Sequence, residues 1–124
     1  AAVIGAPVSD WILYDTCYTE RFIGNPNIKP DNYERSSLLN KTFSKDSMIR
    51  LIHGRSDDNV LYANSEKLRD HLVMQGLTID FVTIDDATHM VGNANDAAKL
   101  LIDDVMFLSE ALNMPELKDK LVDN

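Results

Sequence analysis

Three short runs of apolar residues along the chain have the length and composition of β-strands, at positions 1–8, 47–53 and 77–84. The first run is small and apolar on both faces, which is typical of a strand buried inside a parallel sheet. The third run alternates apolar and polar residues and is rich in β-branched side chains, so we expect a strand with one face more exposed. Together the runs predict three β-strands.

Segments between and after these runs repeat apolar residues every three or four positions, which predicts helices. The first helix spans 10–22 and begins at Ser9 or Asp10 as the N-cap. It carries an aromatic stripe at helical spacing, formed by Trp11, Tyr14, Tyr18 and Phe22. Further helices are predicted over 33–39, over 62–75 and from 95 or 96 to 112.

Strands and helices alternate, and this order is typical of the α/β class with a parallel sheet. Because both crossovers advance in the same direction, their helices should lie on one face of the sheet, and the last helix should cover the other. We therefore predict one domain over residues 1–113, with about three parallel strands and helices on both faces, followed by a charged tail over 114–124.

The overall charge argues against one class of partner. With 12 Lys and Arg against 20 Asp and Glu, the formal net charge is −8 and the isoelectric point is near 4.6. Nucleic-acid binding depends on clustered basic residues, and the sequence has no such cluster, so we predict no nucleic-acid partner.

Cys17 is the only cysteine in the sequence. A single cysteine forms no intrachain disulfide, which favours a reducing compartment such as the cytoplasm. No apolar run approaches the ~18 residues that a membrane-spanning helix needs.

Polar side chains follow two of the predicted strands. Asp57 comes shortly after the second strand and His89 shortly after the third, and the carboxyl ends of parallel strands share one edge of a sheet. An aspartate that orients a histidine forms the last two members of a serine-hydrolase triad. The alternatives stay open: Asp57 and its neighbours form a turn that caps the next helix, and His89 is a solvated loop histidine beside Asp85 and Asp86.

The serine member of such a triad is missing from this sequence. An α/β-hydrolase nucleophile precedes the acid and lies on a Gly-x-Ser-x-Gly elbow. The nearest approach, at 54–58, carries Asp58 where the second glycine must stand. We therefore expect the chain to be a fragment of an enzyme that hydrolyses nothing by itself.

The remaining polar groups have several interpretations. We interpret His53 and His71 as structural, and we predict no metal and no cofactor. A zinc site built from His53, Asp57 and His89 is an alternative, although its ligands lack compact spacing. Another is a receiver-type regulatory domain that binds Mg²⁺, for which the sequence offers two acidic pairs but no lysine near His89: Asp57, Asp58, Asp85 and Asp86.

The aromatic stripe has two interpretations as well. Trp11, Tyr14 and Tyr18 lie one helical turn apart, so they either pack in the core or form an apolar pocket wall with phenol groups at its rim.

Two longer strings resemble a known family. The Tyr-Asp-x-x-Tyr-Thr-Glu-Arg string beginning at Tyr14 and the His-Gly-x-x-Asp-Asp-Asn-Val string beginning at His53 resemble the end of the catalytic domain in dipeptidyl peptidase IV-like members of the prolyl oligopeptidase family. The resemblance covers about residues 1–112. Its last matching string is Asp-Ala-Thr-His at 86–89. It implies an α/β-hydrolase fold whose nucleophile and β-propeller belong to an upstream part.

The resemblance also implies roles for individual residues. Asp57 would be the triad acid, His89 the general base, and Asn59 a hydrogen-bond partner for the carbonyl of the substrate's second residue. The pocket for proline or alanine would be lined by Val8, Trp11, Tyr14, Tyr18 and Val60. The implied substrate is a peptide with an N-terminal Xaa-Pro or Xaa-Ala. Two functions stay open, an active dipeptidyl peptidase and a catalytically inactive relative that acts as a binding or accessory protein.

Two features set this sequence apart within the resemblance. It lacks the cysteines of the secreted members and so is more similar to the cytosolic ones, and Met90 and Val91 replace the usual small or polar residue after the histidine. The unpaired edge at 1–8 also leads us to expect a homo-oligomer, formed by edge pairing or by exchange of the helix 96–112 between chains.

Overall fold

The computed structural model describes residues 1–114. Its strands are β1 (Ala2–Gly5), β2 (Ile49–Gly54) and β3 (Ile79–Ile84). Its helices are α1 (Thr16–Ile23), α2 (Pro30–Ser36), α3 (Ala63–Met74) and α4 (Ala94–Ala111), with two 3-10 turns at Trp11–Leu13 and Leu38–Asn40. All but the first residue of the predicted tail, 114–124, lies outside the described residues.

The three strands form one parallel sheet in the order β1-β2-β3. Strand β2 lies in the centre, and its register pairs Ile52 with Gly5 on one side and Gly54 with Ile84 on the other. All three strands therefore end at the same edge of the sheet. The predicted α/β class with three parallel strands is confirmed.

One face of the sheet packs against α3 and contains the hydrophobic core. Leu51 of β2 is fully buried, and it clusters with Leu68 and Leu72 of α3. These two leucines lie four residues apart on one face of the helix, so both point toward the sheet. The core thus anchors α3 against β2.

The opposite face of the sheet packs against α4. Side chains alternate along a strand, so Arg50 points away from Leu51, and its Nε donates to Asp104 of α4 at 2.8 Å. The Arg50 guanidinium also pairs with Asp80 of β3. Helices therefore lie on both faces, as predicted. Within residues 1–114, we find no helix whose length and apolar character would let it cross a membrane.

The first strand is shorter than the predicted 1–8. Ala6 has a positive φ of 40°, and Pro7 follows it. The turn at Ala6 takes the chain out of the sheet, and Pro7 has no N–H with which to continue the ladder. The strand therefore ends at Gly5.

The predicted helix over 10–22 is wrong as one element, because two aspartates each start a helical segment. The Asp10 carboxylate accepts the N–H of Ile12 at 3.2 Å, and the Asp15 carboxylate accepts the N–H of Tyr18 at 2.8 Å. Between them Tyr14 is extended, so the segment is a 3-10 turn followed by α1. The prediction over 33–39 is shifted similarly, because Pro30 begins α2 from the favoured first-turn position.

Candidate active site

A glycine at the end of β2 lets the two polar loops approach each other. A Cβ on Gly54 would lie 2.3 Å from the carbonyl oxygen of Thr88. Any side chain at position 54 would therefore displace the backbone of Thr88. The next residues are hydrogen-bonded across the gap: the N–H of Arg55 donates to the carbonyl of Ile84 at 2.9 Å, and that of Ser56 to the carbonyl of Ala87 at 3.1 Å. The loop after β2 is therefore fixed against the loop that carries His89.

The Asp57 side chain is fully buried in this junction. Its Oδ1 accepts the backbone N–H groups of Asn59 and Val60, each at 2.9 Å, which closes a tight turn of its own loop. Burial by itself raises the pKa of the Asp57 carboxyl, but hydrogen bonds from His89, Val60 and Asn59 outweigh burial and lower the pKa below its usual value. The group is therefore a carboxylate at neutral pH.

The second oxygen of Asp57 contacts the predicted general base. Nδ1 of His89 lies 2.9 Å from Asp57 Oδ2. Because an ionised carboxylate only accepts hydrogen bonds, His89 carries a proton on Nδ1, and a neutral ring then leaves Nε2 as an acceptor. The His89 side chain is 37% exposed, and within residues 1–114 its Nε2 has no hydrogen-bond partner. The structure thus brings the predicted acid and base together, with the side chain of the predicted base partly exposed.

A second histidine contacts the same oxygen. His53 is buried and its Nε2 lies 3.1 Å from Asp57 Oδ2 and 2.9 Å from the carbonyl oxygen of Val60. We predicted a structural histidine at this position, but the pattern did not indicate that it contacts Asp57. The spacing of four residues between His53 and Asp57 by itself does not determine whether their side chains meet.

The predicted aromatic stripe forms one cluster although the helix is broken. Trp11 stacks on Tyr18 with ring centroids 5.9 Å apart, and Tyr14 packs edge-on against both rings at 5.7 Å. Tyr18 is 48% exposed and Tyr14 is half-buried, so neither belongs to the hydrophobic core. The cluster is connected to the loop that carries Asp57, because Oη of Tyr14 donates to Oδ1 of Asn59 at 2.8 Å.

The other predicted pocket residues are placed less uniformly. Val60 is buried, and Val8 is half-buried in the segment between β1 and the 3-10 turn. That segment is held by a residue that sequence reasoning missed: Asn64 of α3 accepts the N–H of Ser9 at 3.0 Å, and its carbonyl accepts the Ser9 hydroxyl at 2.7 Å. An asparagine in the first turn of a helix gives no sequence signal for such a contact.

Two cavities border these side chains. One of about 360 Å³ lies between the sheet and α4, and His89, Met90 and Val91 contribute to its wall. A smaller one of about 50 Å³ lies beside Trp11 and Tyr14. Within residues 1–114, no group of three His, Cys, Asp or Glu side chains is arranged to hold a metal ion. His53, Asp57 and His89 do meet, but the nitrogen of each ring that faces Asp57 is hydrogen-bonded to its carboxylate.

Comparison with known proteins identifies a family and several relatives of this chain. The model of the prolyl oligopeptidase family matches residues 1–115. A probable dipeptidyl-aminopeptidase B from Fusarium vanettenii is 39% identical over 88 residues, which cover 69% of this chain and 10% of that protein. Another from Aspergillus oryzae is 46% identical over 68 residues, covering 54% of this chain and 8% of that protein.

A solved structure shares the fold. The crystal structure of dipeptidyl peptidase 4 from Porphyromonas gingivalis superposes with a TM-score of 0.79 and 29% identity, covering 87% of this chain and 15% of that one. The chain spans about a tenth of the length of the curated relatives that it matches. With a three-stranded parallel sheet, an acid and a histidine after neighbouring strands, and a family match over nearly its full length, the chain belongs to the prolyl oligopeptidase family.

Proposed function

We propose that this chain carries the acid and the base of a serine-type dipeptidyl peptidase that releases Xaa-Pro or Xaa-Ala dipeptides from peptide N-termini. The observation that carries the proposal is the contact of 2.9 Å between Asp57 Oδ2 and His89 Nδ1, with the His89 ring partly exposed. A serine on another segment of the complete enzyme supplies the nucleophile.

In this proposal, His89 takes the proton of the serine hydroxyl on Nε2 as the serine attacks the peptide carbonyl. Proton transfer turns the imidazole into an imidazolium, and the buried charge of Asp57 stabilises that cation. The same contact keeps Nδ1 protonated beforehand, so Nε2 is always the nitrogen that accepts. His89 then returns the proton to the leaving amine.

The contact between Tyr14 and Asn59 supports the proposed substrate. Because Asn59 Oδ1 already accepts from the Tyr14 hydroxyl, the Nδ2 donor is left for a substrate carbonyl. The partly exposed ring of Tyr18 beside Trp11 offers a flat apolar surface for a small ring such as that of proline. An extended peptide then binds through one amide contact and one apolar contact.

The proposal is tested in the complete enzyme with Xaa-Pro-p-nitroanilide substrates. Asp57→Asn and His89→Ala should each lower kcat on the order of 10³-fold or more, because each removes a member of the triad. Asp58→Asn is the matched control, since its exposed side chain neighbours Asp57 without joining the site. Full activity of either triad variant contradicts the assignment.

Two further outcomes separate the candidate functions. The 124-residue chain alone is expected to hydrolyse nothing, because its sequence contains no Gly-x-Ser-x-Gly elbow. A complete wild-type protein that binds Xaa-Pro peptides without cleaving them would instead be the inactive accessory protein.

We also propose a reducing compartment, such as the cytoplasm, for this protein. Cys17 is an exposed free thiol, and such thiols persist where disulfides are kept reduced. Cell fractionation of the tagged complete protein tests this compartment.

A further inference from the structure

We propose that His53 is a positioning residue for the triad: a neutral, buried imidazole that holds the Asp57 carboxylate in the orientation needed by His89. This inference rests on the proposed function, since it gives His53 a role in the same reaction. His53 itself is 1% exposed, so it acts through Asp57 and does not touch the substrate.

The hydrogen bonds of His53 determine its protonation. Its Nε2 faces two acceptors, Oδ2 of Asp57 and the carbonyl of Val60, so that nitrogen must carry a proton. Its Nδ1 lies 2.6 Å from the hydroxyl of Ser65. Within residues 1–114 that hydroxyl has no other acceptor, so it donates to Nδ1, and a nitrogen that accepts carries no proton. His53 is therefore the neutral tautomer with the proton on Nε2.

Neutrality matters for the neighbouring histidine. An imidazolium at position 53 would offset the charge of Asp57 at 3.1 Å, and the carboxylate would then stabilise the cation on His89 less well. A neutral donor satisfies the buried oxygen and leaves the negative charge in place. By donating to Nδ1, Ser65 keeps His53 neutral and so preserves the strength of the Asp57–His89 pair.

The geometry explains why a second donor is needed. The two backbone N–H groups hold Oδ1 of Asp57, but His89 is 37% exposed and lies in a loop, so alone it is a weak restraint on Oδ2. His53 lies in the central strand, and Ser65 is fully buried in α3 above the core. The carboxylate is therefore oriented by deeply buried side chains of the central strand and α3, as a preorganised site requires.

The test compares variants of the complete enzyme that differ in whether residue 53 donates a hydrogen bond to Asp57. His53→Phe keeps a ring but no donor, and we expect kcat to fall about 10- to 100-fold with KM within about twofold, because the substrate contacts are untouched. His53→Gln places an amide donor near Nε2 and should recover most of the lost kcat. His71→Phe is the matched control on α3, with expected kcat unchanged, because His71 contacts the carbonyl of Lys41, away from the triad.

Crystal structures of the same variants supply a measurement that does not depend on activity. In His53→Phe the distance between Asp57 Oδ2 and His89 Nδ1 should exceed 3.5 Å, and in His53→Gln it should stay near 2.9 Å. If wild type is inactive, the proposed function is wrong, yet this distance still decides the role of His53.

The proposal is overturned if His53→Phe keeps wild-type kcat and the short distance, or if Gln and Phe variants lose activity equally. Should His53→Phe fail to fold, Ser65→Ala decides the matter, because it leaves the ring in place and removes only the hydroxyl that keeps Nδ1 unprotonated. It should lower kcat by roughly 3- to 10-fold at unchanged KM, in line with the loss of one hydrogen bond. Wild-type kcat in Ser65→Ala would then overturn the proposal.

Discussion

His53 and His89 donate hydrogen bonds to the same carboxylate oxygen, Oδ2 of Asp57, at 3.1 and 2.9 Å. The two rings differ in what surrounds them. His53 is buried and both its nitrogens are bonded within the protein, whereas the His89 ring is partly exposed with Nε2 unbonded among residues 1–114. Only His89 is therefore placed to exchange a proton with a substrate or a nucleophile.

The lowered pKa of Asp57 predicts how stability depends on pH. A carboxyl whose folded pKa lies below its unfolded value near ~3.9 stabilises the fold above that value, and the contribution is lost as the pH falls through the folded pKa. Asp57→Asn should therefore destabilise most at pH 7 and progressively less below about pH 4. The urea midpoints of unfolding of the wild-type and Asp57→Asn complete proteins, measured from pH 7 down to pH 2.5, give the difference.

The stability of Asp57→Asn must be subtracted from that of wild type at each pH, because the pKa of another carboxyl is shifted in the opposite direction. Burial, with the nearby charges of Asp103 and Asp80, raises the pKa of Asp104 more than Arg50 lowers it, so Asp104 opposes stability as it ionises. Asp104 is present in both proteins and cancels in the difference. A destabilisation by Asp57→Asn that stays constant down to pH 2.5 would contradict the prediction.

A second prediction concerns the close approach at Gly54. Gly54→Ala places a Cβ 2.3 Å from the Thr88 carbonyl oxygen, so the loop that carries His89 must move. We expect a loss of about 1–3 kcal/mol in the free energy of unfolding, as for overpacking elsewhere, together with a loss of peptidase activity. Thermal melts and kcat measurements on the complete enzyme test this.

Gly5→Ala is the control for that experiment. Gly5 ends the neighbouring strand β1 and pairs with Ile52, but a Cβ added there meets no atom within 4 Å. Its effect on stability and on kcat should be small. Equal effects of the two substitutions would show that backbone entropy, and not the close approach, controls the loop.

The meeting of Asp57 and His89 was predictable because it follows from topology. Residues just after neighbouring parallel strands must share one sheet edge, whatever the details of their loops. The contact of His53 with Asp57 was not predictable in the same way. Four residues that span a strand end and a turn have no fixed geometry, so their spacing does not determine whether the side chains meet.

The broken aromatic helix shows a different limit. The spacing from Trp11 to Phe22 is helical throughout, but Asp15 interrupts the helix because its carboxylate caps α1. Periodicity reports which side chains share a face, and the aromatic rings do cluster despite the break. The capping residue determines where a helix begins, and here the cap at Asp15, not the aromatic spacing, sets the start of α1.

A third prediction concerns Tyr18. Its ring is 48% exposed, so Tyr18→Ala should lower kcat/KM for an Xaa-Pro substrate at least tenfold while the melting temperature changes little. Phe22→Ala is a suitable control, because Phe22 packs against Tyr18 on the same helix and is 67% exposed. Equal losses for both variants would indicate a general disturbance of α1 and not a substrate contact.

The last prediction concerns association between copies of the chain, which we propose for the chain as it stands. Strand β1 lies at an edge of the sheet, with backbone groups that no strand within residues 1–114 pairs. Helix α4 adds exposed apolar side chains, with Leu101 63% and Ile102 44% exposed. An open edge beside an apolar surface favours self-association, and a sheet of three strands is stabilised most by it.

We therefore expect the 124-residue chain to sediment as a dimer or a larger species at micromolar concentration, with Leu101→Glu and Ile102→Glu together shifting it toward monomer, because a buried unpaired carboxylate is costly. Ile28→Glu is the matched control, since Ile28 is 77% exposed but lies in the loop before α2. It should leave the sedimentation unchanged. A folded monomer with a cooperative melt, even at the highest concentration, would mean that β1 and α4 need no partner, and the expectation of a homo-oligomer would be wrong.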